Sequence, residues 1–410
     1  MKNILVLALG HLSNGEITIA IETLRNIGHN GYNLLFISHE WGYNYIRSFN
    51  VPVKMLYHPD PKENKKEFYR ILKEFKADLV LCADVTTMEY ASPWSGFSFD
   101  DLINLDIPIA TFDQYEWEST NFKFDFMVGK AKTVNTEFIK DCNLLIRPCP
   151  LNKPKDFDGR IITCRLFGQS PTPPTMTKKQ WCTALGIPED RKIIFIVNSS
   201  WEYLDITKFV ELTYLIKWMP RIIYQYFLAM KKPLTIIHVG PHPWNFEINP
   251  RIIYKYFNHL KPNLYQETEK QADLFCGTNA ISITLSKAAY ALTPCILFQN
   301  LKVLNFDNLV DILPKMPAWY REMAGEVKKS STFRIFPWGW SRFLGPVFKD
   351  NPYNRVFVEA PVFIAPKCIK ILKQYLYDQE AIENLKTAQK EYFMSLAQLP
   401  PLESLLAKIG

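Results

Sequence analysis

At 410 residues, with 48% hydrophobic and 22% charged side chains, the chain exceeds one ordinary core and is too apolar to be disordered. Its net charge of +7 comes from lysines and arginines scattered among acids, which fits anionic small molecules or a membrane surface better than a nucleic-acid groove. The 8 cysteines form no CxxC pair and several lie in apolar runs, which excludes a zinc ribbon or disulfide framework and reads as reduced thiols of a cytoplasmic protein. The first apolar run is too short for a signal peptide, and no apolar stretch reaches membrane-spanning length.

The predicted elements alternate. Ile4–Leu9 is a continuous apolar run, the mark of a parallel strand buried on both faces. Glu16–Ile27 is an amphipathic helix with Gly28 as its stop signal, and Tyr32–Ser38 is the second strand. Val51–Leu56 ends the next connection, Glu63–Phe75 is a charged helix, and Ala77–Ala83 and Ile107–Phe112 are further buried strands. Strands spaced by helices predict a doubly wound parallel sheet over residues 1–150. Pro148, Pro150, Pro154, Pro171, Pro173 and Pro174 then crowd a stretch of little periodicity, which reads as an interdomain linker over 151–190.

A second α/β pattern occupies 191–384. Lys192–Val197 is a strand opening on Asn198, Ser199, Ser200 and Trp201; Phe209–Met230 is helical, broken or kinked at Pro220; Leu234–Val239 is a strand opening on Gly240–Trp244. Leu274–Cys276 runs into Gly277, with Thr278 and Asn279 at the N-cap position of a helix marked by Ile281, Leu285, Ala288 and Ala289. Pro294 ends that helix and Cys295–Phe298 is the next strand. Residues 301–360 read as an insertion, and its aromatic, arginine-bearing stretch Phe333–Phe348 suits peripheral contact with a membrane, a lipid-like acceptor, or packing on its own core. A charged helix, Gln379–Leu396, and a short one after Pro401 close the chain, with 385–410 free to pack back on the first domain.

The chemistry-bearing residues fall at strand carboxyl ends, where open α/β sheets bind ligands. A glycine turn feeding a helix aims amides and a positive dipole end at one point, which suits a phosphate at Gly277, Thr278 and Asn279; an unliganded βαβ unit gives the same pattern. Asn198, Ser199 and Ser200 offer donors to a diphosphate, Trp201 a face for a base, and His242 a donor on a proline-bracketed loop. Core packing for Trp201 and loop capping for His242 remain open. His11 follows the first strand, as a general base or a loop cap. Asp84 and Asp113 end two other strands, as ligand-side carboxylates or Asx-turn residues, with Glu116 close behind. The histidines form no HExxH pair, and the DxD at Asp156–Asp158 lies among the prolines, so no metal is expected. A GxGxxG followed by an acid is missing after the first strand, which disfavours a dinucleotide oxidoreductase.

Three stretches together resemble the GT-B glycosyltransferases, in particular the UDP-glycosyltransferases and the peptidoglycan N-acetylglucosaminyltransferase group. Gly10-His11 with Asn14-Gly15 resembles that group's first loop, and Leu185-Gly186-Ile187-Pro188-Glu189-Asp190 resembles the lead-in to its donor domain. Cys276-Gly277-Thr278-Asn279-Ala280 is similar to its CG-x-N-S/A donor turn, and Leu292-Thr293-Pro294-Cys295-Ile296 to the ending of that unit. The resemblance implies two Rossmann-like domains facing a cleft and metal-independent, inverting transfer from a nucleotide-diphosphate-sugar, with no resident cofactor. It implies His11 as general base; Asp113, from its strand end, would orient His11 or bind acceptor, and Asn14, Asp84 and Glu116 would face a small-molecule, natural-product or lipid-linked acceptor. One departure stands out: Ile281–Thr284 carries no acid where family members hold the ribose. A nucleotide-sugar 2-epimerase and a non-catalytic nucleotide-binding partner are the alternatives.

Overall fold

The computed structural model describes residues 2–10, 14–24, 27, 31–120, 137–154, 159–199, 210–299, 313–327 and 344–406. The chain divides into two compact units. The first takes Met1–Ser170, Gly345–Asn351 and Phe393–Gly410; the second takes Pro171–Leu344 and Pro352–Tyr392.

The first unit is built on seven strands: β1 (Lys2–Ala8), β2 (Tyr32–Ser38), β3 (Val53–Met55), β4 (Leu79–Cys82), β5 (Ile109–Phe112), β6 (Leu144–Cys149) and β7 (Ile161–Arg165). They lie in the order β3-β2-β1-β4-β5-β6-β7, every pairing parallel. The reason is legible in β1 and β4: Leu5, Val6, Val80 and Leu81 are fully buried, since helices cover both faces of such a sheet. The helix Pro61–Phe75 shows the end signals in full, with Asp60 accepting from the Lys62 amide, Pro61 at its start, and Lys76 left-handed at its close.

The second unit carries β8 (Lys192–Val197), β9 (Leu234–Val239), β10 (Ile252–Phe257), β11 (Leu274–Gly277), β12 (Cys295–Gln299) and β13 (Val358–Pro361), in the order β10-β9-β8-β11-β12-β13 and again all parallel. Its core joins Ile194, Ile236 and Leu274 to Tyr226 and Phe227 of the helix Val210–Ala229, which runs on through Pro220, and to Leu372 of the helix Ala365–Tyr377. Each sheet reverses its strand order once, between β1 and β4 and between β8 and β11; ligands of doubly wound sheets bind outside the carboxyl ends at such points.

Three sequence expectations change. The expected linker at 151–190 contains β7, whose Ile162 and Cys164 are buried in the first sheet, and the helix Lys178–Leu185, which belongs to the second unit. The expected insertion at 301–360 contains β13, a regular strand paired with β12, and the helix Ala318–Val327, whose Tyr320 and Met323 enter the core. Residues 301–312 and 328–343 of it, most of the aromatic stretch, lie outside the described residues. At the carboxyl terminus only Phe393–Gly410 joins the first unit, where the helix Leu402–Leu406 packs on the helix Gly15–Leu24 and on β7. No helix among the described residues is long and apolar enough to cross a membrane.

Candidate functional site

The carboxyl edge of the first sheet is a buried polar layer. Gly10 follows β1 so closely under Glu16 that a Cβ there would displace the Glu16 carboxylate and stand 3.2 Å from the Thr87 Cβ. Its carbonyl accepts from His39 Nε2 at 2.9 Å, while His39 Nδ1 accepts from the Trp41 amide at 3.1 Å and so caps the helix Glu40–Arg47. That pair of bonds sets the neutral Nε2–H tautomer, and burial lowers the ring's pKa. Sequence reading missed His39, although it directly follows the strand Tyr32–Ser38. His11 itself lies outside the described residues. Asn14 accepts from Thr18 through its carbonyl oxygen, ahead of the helix Gly15–Leu24.

Asp84, 1% exposed, caps the helix Val85–Ser95: its Oδ1 accepts from the Thr86 and Thr87 amides at 2.8 and 3.0 Å. Burial pushes its pKa up to about 7 against those two bonds. Asp113 was expected to orient His11 or to meet acceptor, but both its oxygens are committed. Oδ2 takes Arg147 Nε at 2.9 Å and Oδ1 takes the Trp117 amide at 2.9 Å, in a side chain with no exposed surface. Burial raises its pKa to about 6, with the Arg147 charge pulling the other way. Glu116, expected on the acceptor side, is buried too; Arg147 Nη1 lies 3.5 Å from its Oε2 and Asn152 Nδ2 lies 3.3 Å from its Oε1. Its φ of 50° is left-handed, which those partners hold in place. Asp113 and Glu116 are thus the acid half of an internal ion network on Arg147, and this corrects the roles expected of them.

The second sheet ends differently. Ile196 stands opposite His238 in β9 and Cys276 in β11, so the register brings Asn198, Gly240 and Thr278 level just past the strand ends. The Asn198 amide donates to the Val239 carbonyl at 3.0 Å, and Ser199 follows, half-buried. Ser200 and Trp201 lie outside the described residues. His242 is exposed on the Pro241–Pro243 loop beyond β9. Thr278 is held by Gln299, whose Nε2 donates to its carbonyl at 2.9 Å. The helix begins later than the sequence predicts: it runs Ile283–Tyr290 with Ser282 as N-cap. Thr278 and Asn279 do not cap it, because the Asn279 carboxamide takes the Ile281 amide at 3.0 Å and closes an Asx turn of its own. The Ile283 and Thr284 amides, in the helix's first turn, have no partner among the described residues.

Behind that edge lies a group sequence reading did not single out. His238 is fully buried; its Nδ1 is 2.7 Å from the Tyr254 hydroxyl and its Nε2 is 3.0 Å from Asn198 Oδ1. The eight cysteines are all buried and free. Among the described residues, no three His, Cys, Asp or Glu side chains are grouped to hold a metal ion.

With this geometry, the chain shares its fold with solved structures of GT-B glycosyltransferases. The spinosyn rhamnosyltransferase SpnG superposes with a TM-score of 0.56 at 10% identity, over 100% of this chain and 99% of that chain. A glycosyltransferase from Rickettsia africae ESF-5 gives 0.54 at 10% identity, over 100% and 97%. Anabaena Alr3699/HepE, solved in complex with UDP and glucose, gives 0.52 at 10% identity, over 100% and 99%. No protein with a curated description matches the sequence. The sequence signature spanning residues 24–410 assigns the chain itself: it belongs to DUF6365, a family of unknown function.

Proposed function

We propose that this protein is a glycosyltransferase that moves a sugar from a nucleotide-diphosphate donor to a hydroxyl or amine acceptor, with inversion and without a metal. The observation that carries the reading is the carboxyl edge of the second sheet. There Asn198, Gly240 and Thr278 come level at the strand-order reversal, with the first-turn amides of the helix Ile283–Tyr290 close behind in the chain. Amide and hydroxyl donors at a helix start suit a diphosphate, and the helix dipole stabilises the charge that builds on it as it leaves. SpnG has been solved with thymidine diphosphate and HepE with UDP, ligands of the class this edge would take.

In the reaction the acceptor oxygen or nitrogen attacks the anomeric carbon as the bond from that carbon to the diphosphate oxygen breaks. The bonding pair leaves with the diphosphate and the acceptor's proton goes to His11. Ser199, Ser200, Trp201, Asn279 and His242 would contact the donor. The acceptor, a small molecule, natural product or lipid-linked compound, would meet the first unit near Asn14. Asp113 has no part in this scheme, since Arg147 and Trp117 occupy it.

Titration calorimetry with UDP and dTDP, then turnover with the matching nucleotide-sugars, tests the reading. His11→Ala should abolish transfer and keep nucleotide affinity; a wild-type protein that binds no nucleoside diphosphate sinks the proposal. One observation favours a second reading, nucleotide binding without transfer: the first turn of the helix Ile283–Tyr290 carries no acid to hold a ribose. Nucleotide binding with no turnover on any sugar donor would select it.

A further inference from the structure

We infer that His238 and Tyr254 are positioning residues for the donor half-site, holding the Asn198 carboxamide so that its NH2 group is presented to the diphosphate. The inference rests on the proposed function for its ligand, and on hydrogen-bond polarity for its direction.

The chain of bonds runs one way. A backbone N–H only donates, so the Trp244 amide, 2.8 Å from the Tyr254 hydroxyl, makes that oxygen an acceptor. The hydroxyl's one proton is then left for His238 Nδ1 at 2.7 Å. An accepting Nδ1 puts the ring proton on Nε2, and Nε2–H, 3.0 Å from the Asn198 side chain, requires the carboxamide oxygen there. The NH2 group of Asn198 therefore faces away from the ring, at the carboxyl end of β8. The opposite tautomer would leave the Tyr254 hydroxyl proton with no acceptor among the described residues.

Packing enforces the arrangement. The His238 ring has no exposed surface and lies 5.6, 5.9 and 5.6 Å from the rings of Trp244, Tyr254 and Tyr256. Burial pushes its pKa down to about 4, so the ring stays neutral and keeps one donor and one acceptor. A Cβ at Gly240 would stand 3.2 Å from both the Asn198 Cβ and His238 Nε2, so the loop beyond β9 closes tightly over the pair. A neutral histidine fixed by a tyrosine and spent on orienting one amide does more than fill a core.

A double-mutant cycle tests this, with UDP and uridine as probes in titration calorimetry. Asn198→Ala should weaken UDP about tenfold and leave uridine unchanged, and Tyr254→Phe, which keeps the aromatic stack, should weaken UDP several-fold. In the Asn198→Ala background, Tyr254→Phe and His238→Phe should have no further effect on UDP. Additive losses, or equal losses for UDP and uridine, would overturn the inference while leaving the donor-site reading intact. A wild-type protein that binds no nucleoside diphosphate removes both. Nitrogen-15 correlation spectra give an independent check at pH 7: a proton on Nε2 of His238 and none on Nδ1 is expected, and the reverse tautomer refutes the chain of bonds.

Discussion

The carboxyl edges of the two sheets follow the same strand logic and end in opposite chemistry. At the first, Glu16, Asp84, Asp113 and Glu116 are all buried, and the Arg147 guanidinium is spent on two of them. At the second, the level residues Asn198, Gly240 and Thr278 carry no charge, and no acid stands in the first turn of the following helix. Buried carboxylates repel a diphosphate at low dielectric, whereas amides and hydroxyls donate to it without a charge to neutralise first. The difference separates carboxylates bound into the fold from uncharged polar groups at strand ends, the groups on which the proposed donor site rests.

The largest effect expected is at Arg147. Arg147→Met leaves Asp113 and Glu116 buried without their cation, and should cost about 3–5 kcal/mol in urea denaturation; a loss under about 1 kcal/mol would mean the network is not structural. Asp84 comes next. Its pKa is raised from 3.8 to about 7, so the group's contribution is full below about 3.8 and lost as pH rises through 7. Asp84→Asn keeps the acceptor for Thr86 and Thr87 but cannot ionise. It should therefore match the wild type near pH 4 and exceed it by about 2–4 kcal/mol at pH 8, the upper figure being the whole displacement of the pKa. Parallel stability curves for the two proteins would contradict this.

At the second edge, Asn279→Asp preserves the Asx turn and adds the charge that edge lacks. UDP affinity should fall about tenfold, roughly 1.4 kcal/mol, with melting temperature unchanged; an unaltered affinity would take Asn279 away from the diphosphate. Lys76 offers the smallest change, and a control remote from either edge. It sits exposed at φ 52° closing the helix Pro61–Phe75, so Lys76→Gly should add about 0.5–1 kcal/mol, read as a rise in denaturation midpoint.

Central strands were legible in the sequence because burial on both faces writes a continuous apolar run. Tyr32–Ser38, Lys192–Val197 and Leu234–Val239 fall where the run predicts them. Strands away from the centre were not. β7, IITCR, was hidden among prolines; β13, VEAP, has one fully buried residue; β6, LLIRPC, carries Arg147 in mid-run. The helix start at Ile283 was misplaced because Asn279 and Ser282 both bear capping side chains, and only the folded turn decides which one caps.

By itself, then, the sequence determined the alternation of strands and helices, the division into two units and the loops in which candidate ligand groups gather. These depend on neighbours along the chain and on which faces must leave water. Tertiary structure alone decided what each polar residue is for. Asp113 meets Arg147 across 34 positions, and Asn198 meets His238 across 40. Whether a carboxylate is free or spent, and which way a carboxamide points, depends on partners that only strand order and register bring within 3 Å or so.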